Sequence, residues 1–239
     1  MADESLIKSA SRVKEHGEVF TPKWVVDKML SQPEIKPALN SLTATFLEPA
    51  AGEGAFLIEI LHRKLELANQ LSNSVNEYND NILTALMSLY GIELLEDNVE
   101  MLVMNMYGEF FNEYIKVITK YAAPLNKEVV ASAKTIISAN MVQGDTLKKI
   151  TSNGDPIIFS EWKLLPIKRG VQKVKRTEYT LESILNDGDS YDGPNVIKFE
   201  EMDLFSDFDE QQNNIEKSNK FEYIPVKLVD IYKELVSEA

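Results

Sequence analysis

Three short apolar stretches, each closing on or near an acidic residue and separated by helical text, constrain this chain more than any other feature. Residues 43–47 (T-A-T-F-L) read as a buried strand that runs into Glu48. Residues 89–94 read as a second strand, with Glu93 near its end, and residues 135–141 as a third, followed by the turn Gly144-Asp145. Between the first two lie a helix from Ala55 to about Ala68, polar loop text over 69–80 and a short helix over 82–87. Between the second and third, Asp97 is placed to cap a helix reaching about Lys120, with Val99, Leu102, Val103, Met106, Phe110, Tyr114 and Val117 on one face. Strands alternating with helices predict an α/β fold, a doubly wound and mostly parallel sheet with helices on both faces. Ligands of such sheets bind beyond the carboxyl ends of the strands. Acids at those ends are therefore the first place to look for chemistry.

Composition narrows the field. With 239 residues the chain has room for one main domain and an appendage. It has no cysteine, which removes disulfides, thiolate nucleophiles and Cys-built zinc sites. Its two histidines are His16 and His62, so no His-rich metal centre is expected. A formal net charge of −13 argues against a surface that grips phosphates everywhere, though not against a local basic patch. The polar, acidic first residues do not read as a signal peptide, and no apolar run approaches the roughly 18 residues needed to span a bilayer. A cytoplasmic protein without membrane contact is expected.

Four short segments carry candidate chemistry. In Glu48-Pro49-Ala50-Ala51-Gly52-Glu53-Gly54-Ala55-Phe56 a strand passes through a Gly-x-Gly turn into a helix. The glycines permit positive φ and a close ligand approach, and the turn presents N–H groups at a helix start. Leu57 stands where the dinucleotide fingerprint has its third glycine. Glu48 and Glu53 would repel a pyrophosphate but not a cationic ligand, which favours a sulfonium amino-acid cofactor over NAD or ATP. Glu93, with Leu94 after it, is placed to accept hydrogen bonds from two ribose hydroxyls. Asp145, with Thr146 after it, could accept from an adenine amine, although an ordinary turn Asp is the alternative. The fourth segment is Gly17-Glu18-Val19-Phe20-Thr21-Pro22, where Thr21 can cap a helix and Pro22 suits its first position.

Together these segments resemble the adenine-specific DNA N6-methyltransferases of restriction–modification systems, over roughly residues 10–150. G-E-V-F-T-P resembles that family's motif X, which lines the methionine end of S-adenosylmethionine. E-P-A-A-G-E-G-A-F resembles motif I, Y-G-I-E resembles motif II with its ribose-binding acid, and Q-G-D-T-L resembles motif III with its adenine-binding Asp. The resemblance implies a Rossmann-like methyltransferase core at 34–150, after an N-terminal helical segment at 1–33. It implies S-adenosylmethionine as cofactor, held by Phe20, Thr21, Glu48, Pro49, Ala50, Gly52, Gly54, Phe56, Glu93, Leu94, Asp145 and Thr146. The implied reaction is methyl transfer to adenine N6 in an extruded DNA base, and the implied partners are DNA and other restriction–modification subunits.

The family's catalytic Asn/Asp-Pro-Pro-aromatic motif IV has no counterpart, because the nine prolines include no Pro-Pro pair. Asp155-Pro156 is the nearest text, and a turn before a strand is the plain alternative. Residues 151–239 are expected to be an irregular extension that completes the sheet. Six Lys/Arg fall within 163–176, of which Lys168, Arg169, Lys173, Lys175 and Arg176 are candidate phosphate contacts, with a solvated hairpin as the alternative. Trp162 beside them is expected in the core rather than stacked on a base. Residues 200–216 carry seven acids and no Lys/Arg. Two further readings stay open: a catalytically inactive relative that keeps the pocket as a subunit or sensor, and an acidic interaction protein that mimics DNA charge.

Overall fold

The computed structural model describes residues 9–16, 19–186 and 221–238. Gly17, Glu18 and the acidic stretch over 200–216 lie outside the described residues. Three helices lead in: α1 (Ala10–His16), α2 (Lys23–Leu30) and α3 (Lys36–Leu39). The helix α2 begins one residue later than the sequence suggests. Pro22 is its N-cap, and no side chain caps it, so Thr21 does not act as the cap.

The next elements alternate as expected: β1 (Phe46–Glu48), α4 (Ala55–Leu71), α5 (Val75–Met87), β2 (Leu89–Glu93), α6 (Glu96–Lys120), α7 (Lys127–Asn140) and β3 (Met141–Gln143). The three strands form a parallel sheet in the order β1-β2-β3, with Phe46 opposite Leu89 and Gly91 opposite Met141. The chain is thus a mixed α/β protein built on a parallel three-stranded sheet.

Two stretches differ from the sequence reading for identifiable reasons. The polar text over 69–80 is mostly helix: Ser74 caps α5 by accepting from the Glu77 N–H, and Glu77 Oε2 accepts from the Asn73 N–H at 2.7 Å. This reciprocal capping gives α5 a polar first turn that local composition reads as loop. The expected third strand over 135–141 is almost wholly the end of α7. Its β-branched residues suggest a strand, but Val129, Ala133, Ile136, Ile137 and Asn140 repeat at helical spacing and are all buried. Only Met141 begins β3. Asp97 likewise sits inside the first turn of α6, whose N-cap is Leu95.

The two faces of the sheet are covered differently. Leu89 joins the larger apolar core with Leu57, Leu61, Leu102 and Met106 from α4 and α6. Packing is tight at Gly91, where a Cβ would lie 2.9 Å from Leu57 Cδ1 and 3.0 Å from Met141 Sδ. Ile92 points the other way, into a second cluster with Ile157, Phe159 and Leu181. That face is covered by an antiparallel hairpin of β4 (Ile158–Leu164) and β5 (Lys173–Thr180), followed by α8 (Leu181–Leu185). Among the described residues, that face carries the hairpin and the short α8 where a layer of long helices is expected.

Among the described residues, the C-terminal strands pair with one another and not with the parallel sheet. β5 pairs with β7 (Val226–Lys227), while β6 (Phe221–Tyr223) pairs with β8 (Val236–Glu238) around a 3-10 turn, Leu228–Lys233. Among the described residues, the hairpin leaves a gap beside β1. A groove of about 510 Å³ lies there, lined by Thr45, Phe46 and Leu47 on one side and by Phe159, Tyr179 and Ile184 on the other. Among the described residues no helix is long and apolar enough to cross a membrane.

One buried charge fixes the start of β1. Lys64, fully buried on α4, donates to Ala44 O at 2.6 Å, Ser88 Oγ at 2.7 Å and Leu42 O at 3.4 Å, and lies 5.2 Å from the Phe46 ring centroid. All three of its donors are thus used. Burial still pushes its pKa down, from 10.5 to about 8. The folded protein gives up this proton near pH 8 while the unfolded chain keeps it, so stability rises with pH across that interval. Above about pH 10, Tyr78, Tyr90 and Tyr114, whose pKa values burial raises, oppose the trend. Urea unfolding between pH 7 and pH 10 should therefore show a rise in stability for the native chain that Lys64→Met lacks. Parallel profiles for the two proteins would refute this.

Candidate functional site

Because β1, β2 and β3 are parallel, their carboxyl ends emerge on one side, carrying Glu48, Glu93 and Gln143 respectively. The loop over 49–54 folds back onto the sheet there. The Ala51 N–H donates to Ile92 O at 2.9 Å, and Gly52 and Gly54 take φ of 55° and 98°. Both angles favour glycine. Their surroundings differ. A Cβ on Gly54 would lie 2.7 Å from Leu102 Cδ1, so this glycine lets α4 start against α6. A Cβ on Gly52 would meet nothing within 4 Å, which leaves open space over that part of the loop.

Glu93 organises the site. It is 8% exposed, and its Oε2 accepts from the Gly52 N–H at 2.8 Å. Its Oε1 accepts from the Leu95 N–H at 3.1 Å and from Asn98 Nδ2 at 3.3 Å. Three of the carboxylate's roughly four acceptor positions are therefore used within the protein. Asn98, 1% exposed, passes the connection outward: its Oδ1 accepts from Arg12 Nη2 at 3.2 Å, and Arg12 also grips Asp97 with two bonds of 2.8 and 3.1 Å. The N-terminal helix α1 is thus tied through Asn98 and Glu93 to the glycine loop. The sequence reading missed Arg12 and Asn98. A polar residue buried in the first turn of an apolar helix was the one available signal for Asn98.

The ends of β1 and β3 are stitched to this centre. Thr146 Oγ1 donates to Pro49 O at 2.6 Å, Gln143 Nε2 donates to Leu94 O at 2.7 Å, and the Gly144 N–H donates to Glu93 O at 2.9 Å. Asn105 on α6 donates to Glu53 O at 3.0 Å. Glu48 is half-buried, and burial raises its pKa, partly offset by the Ala50 N–H. Asp145 forms the plain turn allowed for it. Its Oδ1 accepts from the Leu147 and Lys148 N–H groups, both at 3.0 Å, and a hydrogen bond from the Lys148 amine lowers its pKa. Ala50 is an exposed loop residue, Leu94 is half-exposed, and Phe56 packs on the core. Phe20 and Thr21 lead into α2, which is bound to α4 by Lys23–Glu59 and Arg63–Asp27 pairs of 2.8 and 3.1 Å.

The other candidates lie elsewhere. Asp155 and Pro156 sit in an exposed turn, with the Thr151 N–H donating to Asp155 O at 2.8 Å and Pro156 bridged to Ile150. The basic residues belong to the hairpin given above as the alternative. Lys168 and Arg169 are exposed in its turn, Lys173 is exposed on β5, and Lys175 pairs with Glu222 at 3.1 Å. Arg176 is occupied internally: it donates to Ser160, Glu178 and Glu234 and lies 4.4 Å from the Tyr223 ring centroid. Trp162 packs on the core and donates to Asn140 Oδ1 at 2.9 Å, as a core tryptophan does.

No known protein-family model, curated protein or solved structure matches this chain.

Replacing Glu93 with alanine leaves the Gly52 and Leu95 N–H groups without their acceptor, at a cost of about 1–3 kcal/mol for each one left unmade. Glu93→Ala should lower urea-unfolding stability and speed hydrogen exchange of the Gly52 amide. An exchange rate equal to that of the native chain would show that this contact does not hold the loop.

Proposed function

We propose that this chain binds S-adenosylmethionine in a Rossmann-like methyltransferase core of the kind found in adenine-specific DNA N6-methyltransferases. One observation carries the reading. At the carboxyl end of the central parallel strand, the buried Glu93 holds the backbone of a glycine loop that joins β1 to α4, with open space over Gly52. This is where an open α/β sheet takes its ligand. The surrounding acids support a cationic ligand over a pyrophosphate, since Glu48, Glu53 and Glu93 all belong to this end of the sheet. In this reading Glu93 uses its remaining acceptor capacity for a ribose hydroxyl, Gly52 admits the cofactor, and Phe20 and Thr21 lie toward its methionine end. Asp145 or its turn meets the adenine.

A second reading, a relative that keeps the pocket without methyl transfer, draws on a separate observation. Asp155-Pro156 stands in a turn that leads into an antiparallel hairpin, not at the end of a fourth parallel strand beside β1. In that reading the chain serves as a cofactor-binding subunit or sensor beside other restriction–modification subunits, with DNA as their common substrate. The charge-mimic alternative rests on the 200–216 stretch, outside the described residues.

Calorimetric titration with S-adenosylmethionine and S-adenosylhomocysteine tests the shared part. Both should bind, and Glu93→Gln should weaken them by about 1–3 kcal/mol, roughly 5- to 150-fold. No heat at millimolar ligand would sink both readings. Methyl label from the cofactor appearing in DNA selects the first; binding without transfer selects the second.

A further inference from the structure

Away from the strand ends, α4 and α6 face each other with a cluster that the cofactor reading does not use. His62 and Glu66 stand four residues apart on α4, Glu109 and Glu113 four apart on α6. Residues at that spacing share a helix face. His62 Nδ1 lies 2.7 Å from Glu109 Oε1, and His62 Nε2 lies 3.6 Å from Glu66 Oε1. One ligand atom from each of His62, Glu109 and Glu113 lies within 4.8 Å of the other two. All three are half-buried.

We propose that His62, Glu109 and Glu113 bind a divalent metal ion, best matched to zinc, which clamps α4 to α6. Tetrahedral zinc takes imidazole nitrogen and carboxylate oxygen at about 2.0–2.2 Å, which sets neighbouring ligand atoms about 3.4 Å apart. The three ligand atoms already lie within 4.8 Å of one another, so short movements of the side chains separate the observed spacing from this one. Two carboxylates and a neutral imidazole balance the charge of the ion, and a water completes the fourth position. Glu66 is the positioning residue. Its carboxylate, 3.6 Å from Nε2, would accept from Nε2–H when Nδ1 turns to the metal, fixing that tautomer in the carboxylate–histidine arrangement usual around bound zinc.

Glu113 is at present paired with the mostly exposed Lys116 at 3.0 Å, a weak contact that a metal ion would displace. The clamp would join the helix that begins at the glycine loop to the helix that follows Glu93. It requires neither S-adenosylmethionine nor DNA, so it stands or falls apart from the proposed function.

The test uses untagged full-length protein stripped with chelator, then titrated with zinc by calorimetry and with cobalt by visible absorption. One ion per chain should bind, with an intense tetrahedral cobalt band and a raised Tm. Glu113→Gln and His62→Ala should each weaken zinc at least tenfold. Glu66→Gln should weaken it about 10- to 100-fold, the usual effect of losing an outer partner. Lys116→Met should tighten it by freeing Glu113, and Glu182→Gln, on α8, should change nothing. No uptake at millimolar zinc overturns the proposal. So does uptake unaltered in His62→Ala and Glu113→Gln proteins whose circular dichroism matches the native chain.

Discussion

A buried carboxylate surrounded by donors is the contact on which the rest of this molecule turns. Glu93 ends the central strand, and its two oxygens reach the glycine loop from β1, the first turn of α6 and, through Asn98, the N-terminal helix. Without those donors a buried carboxylate would be costly. With them, the same charge fixes the positions of three segments that share no strand pairing with one another. The loop keeps its left-handed glycine backbone with the Gly52 N–H held by Glu93 Oε2.

Much of this frame was legible in the sequence. The three strand-end segments, the strand–glycine turn–helix unit and the long amphipathic helix were all readable from spacing, and the parallel order follows from helices long enough to cross between strands. What misled was local propensity set against burial. Thr135, Ile136 and Ile137 read as strand by side-chain type, yet the buried positions of α7 repeat every three or four residues. The start of α5 read as loop because its capping residues are polar, and their reciprocal bonds are invisible to hydropathy.

The candidate site was only half legible, for a related reason. Acids at strand ends can be counted in a sequence, but their partners cannot. Asp145 turned out to spend its oxygens on its own turn and a neighbouring lysine, whereas Glu93 became a structural hub through Asn98, which lies five residues on but belongs to a different element. The second face of the sheet was the larger surprise. Alternating text predicts helices there, and a twisted hairpin anchored by Phe159 and Leu181 against Ile92 takes their place. The basic residues of that hairpin follow the logic of a ribbon, with Arg176 turned into a stack against Trp162 and Tyr223 rather than outward.

The off-centre position of that hairpin has a dynamic consequence. Among the described residues it leans on β2 and leaves β1 with cover on one side and a single neighbouring strand. Local opening should therefore propagate from the β1 flank inward, so that the segment delivering the glycine loop is the least protected part of the sheet while the central strand is the most protected. The glycine loop can thus open while the central strand that carries its anchor stays in place.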